Sequence, residues 1–536
     1  MSSAQEQITR KSIEITPARL RALRANPMCL KGLLRGIEKE SLRVTADGDL
    51  SKKGHPNALG SPLTHPAITT DFSESQLELI TGVNSSATAC LNELEDVHRF
   101  VHAQLKDELL WPSSMPCIVG SSADIPIGQY GTSNIGKTKN IYRRGLGLRY
   151  GRLMQTISGI HYNFSIPEHL WQALNIADQS LRTRAYFDLI RNFRRWSWLL
   201  IYLFGASPAV CRSFTRDLSH NLEDLDQGSQ YLPYATSLRM GPLGYQSNAQ
   251  NNLHISYNSL SEYTSSMLNA LTQNHPAYEQ AGTIKNGEYQ QLNTSVLQIE
   301  NEFYGTIRPK RTTRSGERPV NALLERGVEY VEVRCLDLNP FLPLGLDETQ
   351  INFIDTFLLL CLLTTSTPDS VDEVERITKN QAATVARGRD TTTTLIDDGG
   401  QRRSLQAWGS EILEACTTIT ELLDQTIPDQ RYTQSLKIAQ SRLLNPELTP
   451  SAQVLAAMRS EQIPFFRFSM SQAIKHKSDF ARQPLTPPQS VRFDKTVEDS
   501  WAAQKAIESA DNVDLDTFLS AYLALPEPPA APEHPS

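Results

Sequence analysis

Three stretches far apart in the chain alternate with a period of two, and each carries charged or hydrogen-bonding groups on one side only. They are "GIEKESLRV" at 36–44, "SGIHYNFSI" at 158–166 and "EYVEVRCLDLNPF" at 329–341. Side chains of a strand project alternately to opposite faces, so Glu38 and Glu40 share one side of the first stretch. In the second, Ile160, Tyr162, Phe164 and Ile166 oppose Gly159, His161, Asn163 and Ser165. In the third, Val331, Val333 and Cys335 oppose Tyr330, Glu332, Arg334 and Leu336. Such strands call for a sheet with an apolar back and a polar front, as in a half-solvated antiparallel sheet.

Between them the periodicity is helical, near 15–26, 88–110, 179–204, 258–272 and 347–365. This irregular succession favours an antiparallel or mixed sheet over repeated βαβ units, hence an α+β class. From about 366 the strand signals mostly vanish. Helical patterns at 371–387, 403–425 and 431–443 take over, broken by "GRDTTTTLIDDGG", which reads as a loop or exposed hairpin. The expected organisation is an α+β body over 15–365, a helical C-terminal portion packed on it over 366–524, and a Pro-rich tail over 525–536 that does not order.

Charge narrows the function classes. The 536 residues carry a net charge of −7, so a nucleic-acid partner, which would call for a basic stripe, is not expected. The seven cysteines are scattered and form no zinc-type pair, which points to free thiols in a reducing cytosol. The first residues show no apolar export signal. The apolar runs "WSWLLIYLFG" and "FIDTFLLLCLLTT" fall short of the ~20 residues of a membrane span and read as buried helices.

If the three strands share a face, Glu38, Glu40, Glu332 and His161 converge. Like charges at such range repel by several kcal/mol, so the cluster needs cations, and mostly oxygen donors select Mg²⁺ or Mn²⁺. The alternative is a solvated face with surface ion pairs, for instance Glu38 or Glu40 with Arg43. "TTDFSESQLELITGV" adds acid: read as a helix, it places Asp71, Glu74 and Glu78 on one side, and Asp71 with Glu74 equally fits a capping box. "YGTIRPKRTTRSGERP" supplies Arg308, Lys310, Arg311, Arg314 and Arg318, a candidate polyphosphate site or else a solvated loop. "GTSNIGKT", Gly131 to Thr138, matches a Walker A motif. It lacks the preceding buried strand, and the glycines that follow predict a poor first helix.

Taken in order, "RGIEKESLRV", "THPAITTDFSESQLELIT", "MQTISGIHYNFS", "YLFGASPAVC", "YLPYATSLRMGPLGY", "VLQIENEFYGTIRPKRTTRSGE" and "EYVEVRCLDLNPF" resemble glutamate–cysteine ligase of the proteobacterial type. The resemblance implies a glutamine-synthetase-like catalytic fold, in which an antiparallel sheet of about six strands curls into a cup. It implies ATP-dependent joining of the glutamate γ-carboxyl to the cysteine amine through a γ-glutamyl phosphate, the first step of glutathione synthesis, in the cytoplasm. By position in the motifs it implies metal ligands Glu38, Glu40, Asp71, Glu78, His161 and Glu332 for Mg²⁺, with Mn²⁺ as the alternative. Arg334 would touch the ATP phosphates as a catalytic group. It implies a cysteine pocket of Tyr142, Leu146, Gln155, Arg239, Tyr245 and Tyr304, with glutathione as feedback inhibitor of a monomeric enzyme. Rival readings are a related carboxylate–amine ligase with another amine, and a P-loop NTPase using Gly131–Thr138.

Overall fold

The computed structural model describes residues 13–244, 250, 253–314, 316–427 and 429–526. The chain opens with α1 (Pro17–Ala25), the twelve-residue β1 (Leu34–Thr45), the short β2 (Ile68–Thr70) and β3 (Gln76–Ile80), then α2 (Ala87–Gln104) and β4 (Glu108–Leu110). Next come α3 (Asn134–Tyr150), β5 (Ile160–Ser165), α4 (Gln179–Trp196), α5 (Leu260–Thr272), β6 (Ile307–Lys310), α6 (Pro319–Arg326), β7 (Tyr330–Leu336) and α7 (Glu348–Leu363). The rest is mainly helical: α8 (Val371–Arg387), α9 (Leu405–Asp424), α10 (Arg431–Leu444), α11 (Phe465–Arg482), α12 (Pro487–Ala510) and α13 (Leu515–Leu523).

One seven-stranded sheet organises the body, in the order β6-β7-β5-β1-β3-β2, with β4 pairing the far end of β1. Every pairing in it is antiparallel. The fold class is therefore α+β, as the irregular succession of elements implied. Ile37, Ile160, Tyr162, Phe164, Val331 and Val333 are buried in the main apolar core behind the sheet.

Helices α2 and α7 stand on that back side, and α7 also packs against α4, α9 and α10. Thus α9 and α10 extend the same core, whereas α11 packs in a second apolar cluster and α13 in a small third one. Helix α7 contains most of the apolar run that includes Asp355. That carboxylate is fully buried and accepts from Arg35 at 2.7 Å and from the Tyr162 hydroxyl at 2.6 Å. No helix among the described residues is long and apolar enough to cross a membrane.

Several sequence expectations need correction. The 88–110 segment is helical only to Gln104, and Glu108–Leu110 pairs with β1 instead. Residues 68–80 form a hairpin, not a helix. Leu77 and Leu79 alternate into the core, and the turn closes through Asp71 N–H to the Gln76 carbonyl at 3.0 Å and Gln76 N–H to the Ser73 carbonyl at 2.9 Å. Glu74 caps no helix there; it accepts from the His55 and Gln129 backbone N–H groups. Arg43 does not pair with Glu38 or Glu40, because it is buried at the other end of β1 against Glu108 at 3.0 Å.

Cys117 and Cys211 are joined, with Cα atoms 5.1 Å apart, so free thiols hold for the other five cysteines only. A separation of 94 residues gave no spacing signal for that pair. The "TTTTLIDDGG" segment is a two-stranded hairpin, and residues 527–536 of the tail lie outside the described residues.

Candidate active site

The polar front of the sheet opens onto a cavity of about 300 Å³. Strand register explains which groups meet there. Glu38 lies opposite His161, Glu40 opposite Glu78, and Glu332 opposite both Asn163 and Arg308. His161 is the hub. Its Nδ1 is 3.3 Å from Glu38 and 3.8 Å from Glu332, and its Nε2 is 3.7 Å from Glu40. Asn163 donates to Glu38 at 2.8 Å, and the Gly159 N–H donates to Glu40 at 2.7 Å.

The balance of cations and carboxylates differs along this cavity. At one end Glu332, 1 % exposed, is surrounded by Arg334 at 3.0 Å, Lys310 at 3.3 Å and Arg308 at 3.8 Å. Burial alone would raise its carboxyl, but these three cations and His161 hold it well below the usual carboxylate range. At the other end Glu78 is pushed well above that range by burial and then by Glu38, Asp71 and Glu40, with Arg143 the opposing cation. Burial and Asp71 likewise push Glu40 up. Glu38 sits between: burial raises it, and the His161 hydrogen bond with nearby charge brings it below its ordinary value.

One potential ligand atom each from Glu38, Glu78 and His161 lie within 4.8 Å of one another, the one such group found among the described residues. Each carboxylate pair ~4–5 Å apart at an effective dielectric near 20 repels by roughly 3–4 kcal/mol. Carboxylate oxygens with one imidazole form a donor set suited to a hard divalent ion. Asp71 lines the same cavity at the turn of the β2–β3 hairpin.

Helix α3 forms the facing wall and brings Tyr142 and Leu146 into the cavity, with Gln155 just beyond it and Tyr304 from the segment before β6. Arg239 is not in that wall. It is 3 % exposed and donates to the Arg334 carbonyl at 2.9 Å, close behind Gly159, where a Cβ would stand 2.0 Å from its Nη2. Tyr245 lies outside the described residues.

Of the basic run, Arg308 and Lys310 reach the cavity. Both also border a second cavity of about 280 Å³, which Arg311, Tyr263, Met267, Val320 and Leu323 help to line. Arg314 is exposed beside Glu325 at 3.5 Å, and Arg318 is buried on Glu300 at 2.9 Å, so the structure brings neither to the carboxylate cluster. A run of five cations in a loop and an edge strand cannot all point one way, and acidic neighbours take the remainder.

Sequence reading missed Lys139, Arg143, Glu302 and Tyr522, all of which line the first cavity. Lys139 and Arg143 share the helix face of Tyr142 and Leu146, and reading 134–150 as a helix would have found them. The glycines argued against that helix. It forms because packing outweighs propensity: Gly145 has no Cβ to block Gln298, which donates to the Tyr142 carbonyl at 3.2 Å. Glu302 accepts from Arg149 at 2.9 Å, from the Gln298 N–H at 2.7 Å and from the Tyr150 hydroxyl, tying its loop to α3.

The Walker-like stretch belongs to this helix start. Ser133 caps α3, Lys137 is exposed, and no strand of the sheet leads directly into it. The N–H groups that would cradle a phosphate are already used. Asn134 N–H donates to Asp511, Thr132 N–H to Glu508 at 2.7 Å, and Gly136 N–H to Ser133 at 3.2 Å.

Comparison with known proteins gives consistent matches. A family profile described as glutamate-cysteine ligase matches residues 20–384. A glutamate–cysteine ligase of Pseudomonas entomophila is 49% identical over 512 residues, covering 94% of this chain and 96% of that protein. The Pseudomonas aeruginosa PAO1 protein of the same description is 48% identical, covering 93% and 96%. Among solved structures, the Francisella tularensis glutamate–cysteine ligase in complex with AMP superposes with a TM-score of 0.87 at 34% identity, covering 92% of this chain and 98% of that one. A bifunctional glutathione synthetase from Pasteurella multocida shares the fold, with a TM-score of 0.70 at 23% identity over 90% of this chain and 58% of its own.

Proposed function

The chain belongs to the glutamate–cysteine ligase family, and from that premise we infer how its cavity joins L-glutamate to L-cysteine with cleavage of ATP, the first step of glutathione synthesis. A carboxylate is a poor electrophile. A γ-carboxylate oxygen of glutamate therefore attacks the terminal phosphorus of ATP, the bond to ADP breaks, and an acyl phosphate forms. The cysteine amine then attacks the acyl carbon, phosphate departs, and the amine's proton leaves with it or passes to solvent.

The observation that carries this reading is the uneven balance of charge along the cavity, with three cations on Glu332 at one end and mutually repelling carboxylates at the other. Two anionic reactants must touch, and catalysis of phosphoryl transfer is chiefly positioning and electrostatics. Arg308, Lys310 and Arg334 hold transferring phosphate oxygens at the Glu332 end. The second cavity, which shares Asn301, Arg308 and Lys310 with the first as lining, offers Tyr263, Met267, Val320 and Leu323 to an adenine ring. Glu38, Glu40, Asp71, Glu78, His161 and Glu332 would hold divalent cations, Mg²⁺ or Mn²⁺. When bound, such ions neutralise the phosphate and carboxylate charge. Tyr142, Leu146, Gln155 and Tyr304 shape the slot for the amine substrate, and Arg239 secures the strand that carries Arg334. Glutathione, which carries the same γ-glutamyl-cysteinyl portion as the product, would compete for this space in a monomeric, cytoplasmic enzyme.

The test is purified protein with ATP, Mg²⁺ and glutamate, offered a panel of amines. Formation of γ-glutamylcysteine with a strong preference for cysteine is expected. Equal turnover with several non-thiol amines would move the assignment to a related carboxylate–amine ligase.

A further inference from the structure

The last described helix is not remote from the chemistry. Residues 508–523 leave the far end of α12 and fold back along α3, the helix that carries Lys139, Tyr142, Arg143 and Leu146 into the cavity. Two sets of contacts hold them there. Just before α3, Glu508 accepts from the Thr132 N–H, at its start Asp511 accepts from the Asn134 N–H, and Asn134 Nδ2 donates to the Val513 carbonyl at 2.9 Å. Further on, the Tyr289 hydroxyl donates to Asp516 at 2.7 Å, and Arg318, itself clamped on Glu300, donates to the Leu523 carbonyl at 3.3 Å.

Between these anchors α13 buries Leu519 in a small apolar cluster with Ile141, Leu292 and Ile299. Tyr142 and Tyr522 pack on the edge of that cluster, and both line the catalytic cavity. Ile135, Tyr142, Leu292, Ile299 and Tyr522 thus supply apolar lining to that cavity. An aromatic ring held by a helix on one side and by a packed cluster on the other is a rigid wall, and a rigid wall selects by size.

We propose that α13 is part of the substrate-binding apparatus, and that Tyr522 limits the acceptor amine to an amino acid with a short, soft side chain such as a thiol. This rests on the ligase reading above. A longer thioether or branched side chain would have to displace the ring, whereas cysteine fits beneath it. Arg318 of the basic run then has its own task, fixing the end of α13.

The test compares kcat/KM for cysteine and for methionine in the wild-type enzyme, Tyr522→Ala and Tyr522→Leu. Removing the ring is expected to raise KM for cysteine and to shrink the preference for cysteine over methionine by ~10-fold, the scale set by one or two methylenes in an apolar pocket. KM for ATP should stay within about twofold. Tyr522→Leu keeps the apolar packing and guards against a fold that fails in the alanine variant. A general loss of structure lowers both substrates alike, so the ratio separates specificity from stability. An unchanged ratio in the folded variants would overturn the role of Tyr522, and failure of the wild-type enzyme to ligate cysteine would overturn the ligase reading itself.

Discussion

The two sides of β1 treat buried charge in opposite ways. On the back, Arg35 is paired with Asp355, which also accepts from Tyr162. Lys39, between the two glutamates in sequence but facing the other way, donates to His98 at 2.9 Å, and burial pushes its ammonium down to about 7. Charge there is either matched by one partner or shed. On the front, Glu332 has three cationic neighbours while Glu40 and Glu78 press on each other and on Asp71. A structural charge closes on itself; a site built for charged ligands stays unbalanced until they arrive.

The contrast can be broken most strongly from the front. Chelation of divalent ions should abolish ligation, with recovery on adding Mg²⁺ or Mn²⁺. Glu38→Gln and Glu332→Gln should each lower kcat by at least ~100-fold, as when a group that stabilises phosphoryl transfer is lost. Product formation followed by mass spectrometry checks both, and retained metal-dependent turnover in both variants would contradict their roles.

A change on the back should act on folding instead. Arg35→Met strands Asp355 without its cation and should lower stability by about 3–5 kcal/mol. Denaturant unfolding measures this, while kcat per folded molecule should change less than ~3-fold.

Acid should probe the same contrast more gently. Burial, then Lys39 and Lys477, pushes His102 down to about 3, and burial with Arg43 does the same to His55. In the unfolded chain these imidazoles take up a proton near pH 6.5. Their folded pKa values lie lower, so stability is fully present above about 6.5 and is lost as the pH falls toward 3. Each contributes a slope of up to about 1.4 kcal/mol per pH unit in that window. His102→Gln should flatten the fall measured by denaturant midpoints between pH 6.5 and 4.5.

The smallest effect is expected at Lys137, exposed on α3. Lys137→Ala should leave ligation within about twofold, and complete loss with an intact fold would restore the P-loop reading.

The strands of the front were legible because a period of two survives in stretches of six residues or more, and it separated Glu38 and Glu40 from Lys39 without any structure. The β2–β3 hairpin was not, since strands of three and five residues around a polar turn leave too little periodicity. Even so, Glu78 was named as a candidate with the wrong local structure around it. The basic run was legible as charge but not as direction. What no local pattern could reveal was pairing across hundreds of residues, such as Asp355 with Arg35 or Asp511 with the start of α3.

That last contact also bears on how the molecule is made. The wall that carries Tyr142 has its first turn held by a carboxylate 377 residues later in the chain. A ribosome that has finished the sheet, its back helices and every carboxylate of the cavity still holds an unfinished site, because α3 awaits its Asp511 contact and the cavity the wall that Tyr522 adds. Nascent chains should therefore stay catalytically silent until α13 has emerged and docked on α3.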